Sequence, residues 1–574
     1  MSAASSYRFG PFRFDARGRV LMRGDEDLGL PPKAADTLLL LLQRAGEVVD
    51  KNSLLDSVWG DVVVGEGSLT RTISILRKAL GGNDASHAYI ATVSKRGYRF
   101  VAPVDDDASP PDDGRAMLAV LPFENLSATR RHDYWSDGLT EEMIAQLSRL
   151  NPERLGVIAR TSSMMFKGTR KRVGEIGREL RVHYVLLGSV RRGRGRVRIA
   201  AQLIKINDET QIWAEHYERK AGDVLRLQRE VAEAIAREIQ VKLAPRAARR
   251  PADAGELPAP AYEAFLKARH LLNRRTEAGM RDSIALFEMA LRHFPGYAAA
   301  YAGIADANVM LACRGMVPAK ETFRRARAAA TKAIELDAGL GDAHGSLAHV
   351  RLHDWDWQDL DRDFRRATEL NPSLAIVHYW HAEYLMSQGR RDEAIAATET
   401  AIRIDPLSAV VQSGRAMILY LARRFEQAAA LVVRALEANP DHFLLHLRLG
   451  LIRVQQKMFD DALDEIRTAI RLSDKSTETL AALGVVHAAS GDERSTRRVL
   501  AELDRRKPRQ YVLPYNVARI HAAARDRDRA FLSLETAYEG GNPDLIELNS
   551  EPVFDPIRRD PRFKRLLRRI GWDA

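Results

Sequence analysis

Hydrophobic and polar residues alternate in three short segments at the start of the chain, 7–10, 12–14 and 19–21. A period of two places side chains alternately on the two faces of an extended chain, so the pattern predicts three strands. A Pro-Pro pair at 31–32 then opens a predicted helix, whose apolar run at 38–42 should form its buried face. The first hundred residues therefore predict a mixed domain of short strands and helices.

Two more helices follow in this part of the chain. One is predicted over 51–59, and the next runs from Ser68, its N-cap, to about Leu80, after a break at Gly65-Glu66-Gly67. Four aliphatic residues of the last helix recur at helical spacing and form one stripe: Leu69, Ile73, Leu76 and Leu80. The opposite side carries Arg71, Ser74, Ile75 and Lys78, flanked by Thr70 and Arg77. An aliphatic-backed helix with an Arg, Ser and Lys surface suits the DNA major groove.

A basic hairpin is predicted after this helix. Its strands are 89–93 and 98–101, and its tip is Ser94-Lys95-Arg96-Gly97. Such a tip can enter the neighbouring minor groove or touch the phosphate backbone. The candidate DNA-binding residues are Ser68, Thr70, Arg71, Ser74, Ile75, Arg77, Lys78, Ser94, Lys95, Arg96 and Tyr98.

The order of these motifs is similar to a known family. The segments 68–71, 75–80, 90–93 and 97–100 together resemble the OmpR/PhoB-type winged-helix domain, over residues 7–103. The resemblance implies a recognition helix at 67–80 and a wing at 90–100. It also implies base contacts near Arg71, Ser74 and Ile75, and backbone or minor-groove contacts by Arg77, Lys78 and Arg96.

A DNA-binding domain placed first resembles the ToxR/CadC-like one-component regulators. The sequence begins at the winged helix, so we expect no phosphoacceptor receiver domain. It has no run of 18 apolar residues, so we expect no membrane span. Its single cysteine, Cys313, precludes a disulfide framework within the chain. We therefore expect a cytoplasmic protein.

A middle domain is predicted over 115–245, after an acidic, Pro-rich linker at 105–114. The pattern β-α-β-α-β-β-β-α predicts a small α/β sandwich. It includes a helix capped by Asp137 and a strand over 155–160. The segments 120–127, 138–140 and 188–190 resemble the TolB N-terminal-like domain.

The rest of the chain, 261–574, follows a second linker at 246–260 and is helical in pattern. Proline recurs at a constant interval, at positions 372, 406 and 440, and the same register holds Ala394, Ala428 and Ala462 and the turn positions Gly389, Arg423, Lys457 and Gly491. This interval resembles that of the tetratricopeptide repeat, with six to eight units between 260 and 540 and a capping helix in 552–572. The predicted fold is thus multidomain: a winged helix-turn-helix (α+β), an α/β sandwich and an all-α solenoid.

The net charge and the absence of two catalytic motifs limit the classes of function that the sequence allows. The formal net charge is +11, and its excess lies in the first 250 residues, which indicates an anionic partner there. The sequence has no phosphate-binding Gly-x-x-x-x-Gly-Lys-Ser/Thr motif and no His-Glu-x-x-His motif, so we expect neither an enzyme nor a cofactor. The basic segment 191–196 is typical of a solvated turn, although a phosphate contact is the alternative.

Two features of the helical part could suggest chemistry. Cys313 lies among helical repeats and is expected to be a packed residue rather than a nucleophile. The residues His349, His353, Asp354 and Asp356 suggest a metal site, but Trp355 and Trp357 beside them favour a structural loop. We therefore expect no metal.

Two functional hypotheses remain. In the first, the winged helix binds double-stranded promoter DNA, the middle domain spaces the chain or forms a homodimer, and the repeats bind a protein partner or small ligand. The concave groove of the repeats would offer residues such as His378, Tyr379, His446 and Arg448. In the alternative, the chain is a tetratricopeptide-repeat scaffold whose winged helix binds protein. An enzyme would need a catalytic site that the sequence does not show.

Overall fold

A computed structural model describes most of the chain. The described residues are 6–16, 18–23, 26–46, 48–60, 66–81, 89–93, 96–102, 105–106, 115–127, 133–151, 153–193, 196–220, 224–239, 257–473 and 475–572. They form two compact units, residues 1–110 and 111–574. The second linker predicted at 246–260 lies largely outside the described residues.

The described residues of the first unit form three helices and two sheets. Its elements are β1 Ser6–Phe9, β2 Phe12–Asp15, β3 Val20–Arg23, β4 Glu26–Asp27, α1 Pro32–Gln43, β5 Val48–Asp50, α2 Lys51–Trp59, α3 Glu66–Ala79, β6 Ile90–Val93, β7 Gly97–Phe100 and β8 Asp105–Asp106. An antiparallel sheet has the order β4-β3-β2-β1-β8, and a second has the order β5-β7-β6. The core between them includes Phe14, Leu38, Leu41 and Phe100.

Three sequence predictions for this unit need correction. Helix α3 begins at Glu66 rather than at Ser68, so Gly67 lies in its first turn and Ser68 is not its N-cap. Strand β5 was not predicted, since it is very short and leads directly into α2. The predicted linker at 105–114 starts with a strand, because Asp105 and Asp106 pair with β1.

The second unit starts with an α/β sandwich. Its elements are β9 Ala116–Val120, β10 Glu124–Asn125, α4 Asp133–Leu150, β11 Leu155–Val157, α5 Arg160–Met164, α6 Val173–Glu179, β12 Tyr184–Gly193, β13 Arg196–Lys205, β14 Thr210–Lys220 and α7 Val224–Glu238. The mixed sheet has the order β11-β9-β12-β13-β14, with parallel pairing around β9 and antiparallel pairing beyond β12.

Alternate residues of β9 face opposite layers of this sandwich. Leu118 and Val120 pack with α4 and α7, whereas Met117 and Ala119 pack with α6. The predicted fold class is confirmed, but two element boundaries were wrong. Asp137 lies inside α4 and is buried, so it is not an N-cap, and the strand predicted over 155–160 ends at Val157, before α5 begins.

Eight antiparallel helix pairs follow in the described residues. They are α8 Ala259–Leu272 with α9 Glu277–His293, α10 Ala298–Cys313 with α11 Ala319–Leu336, α12 Gly341–His353 with α13 Leu360–Leu370, α14 Ala375–Ser387 with α15 Arg391–Ile404, α16 Ala409–Leu421 with α17 Phe425–Ala438, α18 Phe443–Gln455 with α19 Phe459–Leu472, α20 Thr477–Ser490 with α21 Glu493–Arg506, and α22 Pro514–Ala523 with α23 Arg527–Glu539. The predicted solenoid is confirmed. The repeated alanines 394, 428 and 462 are fully buried between paired helices.

The turn inside each pair has a left-handed residue shortly after its first helix ends. These residues are Arg275, Gly315, Trp355, Gly389, Arg423, Lys457, Gly491 and Arg525, with φ between 55° and 85°. The turn between α12 and α13 has a second one, Asp359. Positive φ at the end of a helix reverses the chain and satisfies its last carbonyl groups. From Trp355 onwards these positions recur at the constant interval that the sequence predicts, whereas the two earlier steps are longer.

The last described residues contact several repeats, not only the final one. Residues 540–572, here called the C-terminal segment, contain the 3-10 turns Pro543–Glu547 and Pro552–Phe554 and helix α24 Pro561–Ile570. The indole Nε1 of Trp357 in the third repeat donates to the carbonyl oxygen of Ile570 at 2.9 Å. Tyr420 in the fifth repeat donates to Glu551 at 2.8 Å. The C-terminal segment therefore packs against the middle repeats as well as the last one.

Candidate nucleic-acid interface

Helix α3 has one buried side and one exposed side. The predicted stripe is buried, with Leu69, Ile73, Leu76 and Leu80 all at most 3% exposed. The side chains of Ser68, Thr70, Arg71, Ser74 and Lys78 are exposed. Among the described residues, no carboxylate pairs with Arg71 or Lys78. The helix therefore offers two cations and three hydroxyl groups on one surface.

Ile75 and Arg77 differ from the other predicted contact residues. Ile75 is half-buried and packs against the domain core. Arg77 donates through Nη2 to the Ile90 carbonyl oxygen at 2.8 Å and to Thr92 Oγ1 at 2.9 Å. Its guanidinium group thus joins α3 to the wing strand β6. The sequence could not show this role, because it depends on the side chain reaching across to a separate strand further along the chain.

The wing is a tight hairpin of β6 and β7. Arg96 is exposed at its tip, and its backbone N–H donates to the Val93 carbonyl oxygen at 3.0 Å. Gly97 lies so close to β5 that an added Cβ would approach the Cα of Asp50 to 2.8 Å. Ser94 and Lys95 lie outside the described residues.

Tyr98 is placed differently from the surface role that the sequence suggested. Its side chain is only 6% exposed and belongs to the domain core. Strand alternation explains the result, since neighbouring residues of β7 face opposite sides and Tyr98 takes the inward one. The structure therefore brings together Arg71, Ser74 and Lys78 on α3, with Arg96 at the wing tip, as the exposed set.

Comparisons with known proteins agree with this geometry. Residues 25–100 match the family described as "Transcriptional regulatory protein, C terminal". Residues 114–234 match "HilA/YgeH-like transcriptional regulator, second domain", and residues 362–409 and 414–477 match "Tetratricopeptide repeat". The chain is a homologue of bacterial transcriptional regulators. Its first domain is of the OmpR/PhoB winged-helix type, and its last is a tetratricopeptide-repeat solenoid.

Three relatives illustrate the extent of the similarity. The transcriptional regulator HilA of Salmonella typhimurium (strain LT2) is 26% identical over 444 residues, which is 76% of this chain and 78% of HilA. The transcriptional activator CadC of Escherichia coli (strain K12) is 42% identical over 85 residues, 15% of this chain and 17% of CadC. A protein named "Putative adenylate cyclase 3", of Rhizobium meliloti (strain 1021), is 33% identical over 246 residues, 42% of this chain and 41% of that protein. Thus a regulator is similar over most of its length, whereas less than half of the protein named as a cyclase is matched.

The α/β sandwich of this regulator homologue is docked on its repeats. Ser162 donates through its backbone N–H and its hydroxyl to Asp405 Oδ1, at 2.8 and 2.6 Å. The Leu407 N–H donates to Ser162 Oγ at 2.9 Å, and the Ala159 N–H donates to the Ile404 carbonyl oxygen at 2.8 Å. Since Asp405 precedes the periodic Pro406, a turn that defines the repeat also binds the sandwich.

A charged cluster forms a second contact between sandwich and repeats. Glu141 of α4 accepts hydrogen bonds from Arg269 and from Asn273 of α8, and Arg160 lies 3.2 Å away. Burial raises the pKa of Glu141, but Arg269 and Arg160 outweigh it and hold that pKa below its ordinary value. The carboxylate is therefore ionised and serves as a charged link between the two parts.

A cavity of about 1190 Å³ lies beside this cluster. Its walls come from α4 and from the first helices of several repeats, and they include Glu141, Arg269, Asp306, Ser346, Trp380 and Val411. Burial raises the pKa of Asp306, although Arg269 and Arg275 oppose that rise. The cavity thus combines apolar walls with convergent charges, which is typical of a ligand site.

The groove residues suggested by the sequence are already engaged within the chain. Helix α14, which carries His378 and Tyr379, packs against the turn Pro543–Glu547 of the C-terminal segment. His446 is bonded to Glu465 and to the Pro440 carbonyl oxygen, next to its own helix. The concave side near α14 is therefore occupied by the chain itself.

Across the described residues, no helix combines the length and the apolarity that a bilayer span requires.

Proposed function

We propose that this protein is a one-component transcriptional regulator whose winged helix binds promoter DNA. In this proposal α3 enters the major groove, with Arg71 and Ser74 towards base edges and Lys78 towards phosphate. Arg96 binds the adjacent backbone or minor groove. The observation that carries the proposal is the exposed basic surface of α3 beside an exposed arginine at the wing tip. Because bacterial promoter DNA lies in the cytoplasm, we propose that the protein acts there.

Duplex binding by the full-length chain tests this proposal. The substitutions Arg71→Ala, Lys78→Ala and Arg96→Ala, made together, are expected to abolish retention of DNA from the chain's own upstream region. A matched variant removes three exposed charges elsewhere in the domain, at Arg13, Arg23 and Arg44. Equal loss of binding in both variants would contradict the proposed interface, and no salt-sensitive binding by the wild type would contradict the function.

The sandwich and repeats are proposed to act as the input part of the regulator. Because the C-terminal segment occupies the concave side near α14, we place the partner or ligand at the 1190 Å³ cavity. We also propose that the sandwich is a TolB N-terminal-like domain. Its proposed role is to space the chain or to form a homodimer. Asp306→Ala should abolish any rise in melting temperature that a ligand causes, whereas Asp460→Ala, on the surface of α19, should not.

The scaffold alternative makes a different prediction from the same variants. If the winged helix binds protein rather than DNA, the wild type should not bind the duplex. The variant with Arg71, Lys78 and Arg96 replaced by alanine should then lose a protein partner that the wild type captures. Under the regulator proposal, the triple variant loses DNA and keeps every partner that the repeats capture.

A further inference from the structure

We propose that Cys313, His349 and His353 form a binding site for one divalent metal ion of the zinc class. Cys313 ends α10, the two histidines lie one turn apart on α12, and Glu383 of α14 lies beside them. The site therefore joins the second and third repeats. None of the three ligands belongs to the proposed DNA interface or lines the cavity described above, although Trp380 of the cavity wall stacks on His349.

Two of the separations between donor atoms are close to those of a tetrahedral site. Zinc–sulfur and zinc–nitrogen bonds of about 2.3 and 2.0 Å place neighbouring ligand atoms ~3.3 to 3.6 Å apart. The Cys313 Sγ lies 3.7 Å from His353 Nε2, and the two histidine Nε2 atoms lie 3.1 Å apart. One ligand atom from each of these three residues lies within 4.8 Å of the others.

Glu383 lies beside these three ligands. Its Oε2 lies 3.3 Å from His349 Nε2. The Glu383 side chain is only 15% exposed, and a hydrogen bond from Tyr379 orients its carboxylate. A thiolate and two imidazoles are S and N ligands that zinc accepts with a fourth position left open, whereas calcium and magnesium prefer oxygen alone.

The surroundings hold the two imidazoles in the orientation that a metal requires. His353 Nδ1 lies 3.0 Å from the carbonyl oxygen of Pro543. Because a carbonyl can only accept, Nδ1 carries the proton, which leaves the lone pair of Nε2 facing Cys313 and His349. The ring of His349 stacks on Trp380 at 4.1 Å, and that of His353 stacks on Phe323 at 5.2 Å.

Burial affects the protonation of the groups at this site. It lowers the pKa of both His349 and His353 to about 3, so both imidazoles are neutral at pH 7. Burial raises the pKa of the Cys313 thiol and of the neighbouring Glu383 carboxyl, so binding of the ion replaces the thiol proton, which is released to solvent. The ion would connect the second and third repeats with the C-terminal segment through the Pro543 contact and so stabilise their packing.

Cobalt(II) provides a direct probe, because a thiolate ligand gives it a near-ultraviolet charge-transfer band. Cys313 is the only cysteine of the chain, so this band can come from no other residue. Tag-free full-length protein is stripped with EDTA, kept reduced with a phosphine and titrated with cobalt(II). We expect a band that saturates at one equivalent and disappears when zinc is added.

Variants assign the ligands. Cys313→Ser should lose the band, and His353→Gln should weaken zinc binding by about tenfold or more, measured by competition with a chromogenic chelator. His446→Gln is the matched control, because His446 also has a carboxylate and a carbonyl partner but lies outside the cluster. Zinc should raise the melting temperature of the wild type and of His446→Gln, but not that of Cys313→Ser.

Two results would overturn the proposal. One is a folded wild type that takes up cobalt(II) without a thiolate band, or that takes up neither cobalt(II) nor zinc. The other is zinc affinity that stays unchanged in both Cys313→Ser and His353→Gln. The wild-type spectrum decides the matter even if a variant does not fold.

Discussion

Arg77 and Ile90 are joined by two hydrogen bonds, from Nη2 at 2.8 Å and from Nε at 3.2 Å to the same carbonyl oxygen. This contact fixes α3 relative to the strand that leads into the wing. The link would let the two elements that we propose to contact DNA act as one rigid surface. We therefore assign Arg77 a positioning role rather than a contact with DNA.

Loss of this link should misplace the wing without removing a phosphate contact. Arg77→Ala should reduce domain stability by about 1–3 kcal/mol, because hydrogen bonds from a charged donor are lost. It should also weaken DNA binding while leaving unchanged the slope of log affinity against log salt concentration. Arg77→Lys should behave similarly, because lysine lacks the forked geometry of the guanidinium. A slope that falls by about one would show instead that Arg77 binds phosphate.

Gly97 should not tolerate a larger residue. A Cβ at this position would lie 2.8 Å from the Cα of Asp50, inside the close pairing of β5 and β7. Gly97→Ala should therefore destabilise the winged helix by several kcal/mol, as measured by chemical denaturation. Gly67→Ala is the control, because Gly67 lies in α3 and, among the described residues outside its own helix turn, no atom lies within 4 Å of an added Cβ. This substitution should be neutral or stabilising by up to about 1 kcal/mol. Equal effects of the two substitutions would refute the steric explanation.

The small residues of the repeats should be intolerant of extra volume. Ala428 is fully buried within α17, whereas Ala430 on the same helix is exposed. Ala428→Val should destabilise the protein by about 1–3 kcal/mol through overpacking, and Ala430→Val by about 0.5 kcal/mol through helix propensity alone. Thermal denaturation of the two variants gives the comparison. A cost at 430 that matches the cost at 428 would disprove the assigned packing.

The C-terminal segment should become less stable as the pH rises through neutrality. Burial, followed by Glu478, raises the pKa of Asp544 to about 7, while Arg519 and Arg448 oppose the shift and Glu551 adds to it. Above about pH 3.9, the ordinary aspartate pKa, the unfolded state releases the Asp544 proton. The folded state keeps that proton up to about pH 7. The resulting stability is present at low pH and is lost as pH rises through about 7.

Melting temperatures between pH 5.5 and 8.5 measure this effect. The wild type should lose stability from pH 5.5 to about pH 7 and change little above that, and Asp544→Asn should show a flatter profile over the same interval. Asp460→Asn, an exposed change on α19, should follow the wild type. A wild-type profile that rises with pH would contradict the protonated state of Asp544.

Periodic patterns in the sequence predicted the elements that local physical rules determine. The stripe of Leu69, Ile73 and Leu76 identified α3 and its buried side, and the constant repeat interval located left-handed turn residues such as Arg423 and Lys457. These features follow from helical spacing and chain reversal, which act over a few residues.

Long-range contacts were not predictable in this way. The bond between Ser162 and Asp405 spans 243 residues, and the approach of Cys313 to His353 joins two different repeats. The sequence showed each residue but not its distant partner, so Cys313 and His353 were expected to be structural. The sequence pattern predicts Arg77 and Tyr98 on the DNA surface. Their observed positions depend on tertiary packing, which sets how far a side chain reaches and which way a strand residue faces.

The salt dependence of duplex binding tests the central claim most directly. For the full-length wild type, log affinity should fall linearly with log salt concentration. Lys78→Ala should reduce the magnitude of that slope by about one, whereas Arg13→Ala should leave it unchanged. Equal slopes for the wild type and Lys78→Ala, or binding that salt does not affect, would contradict a DNA interface on α3.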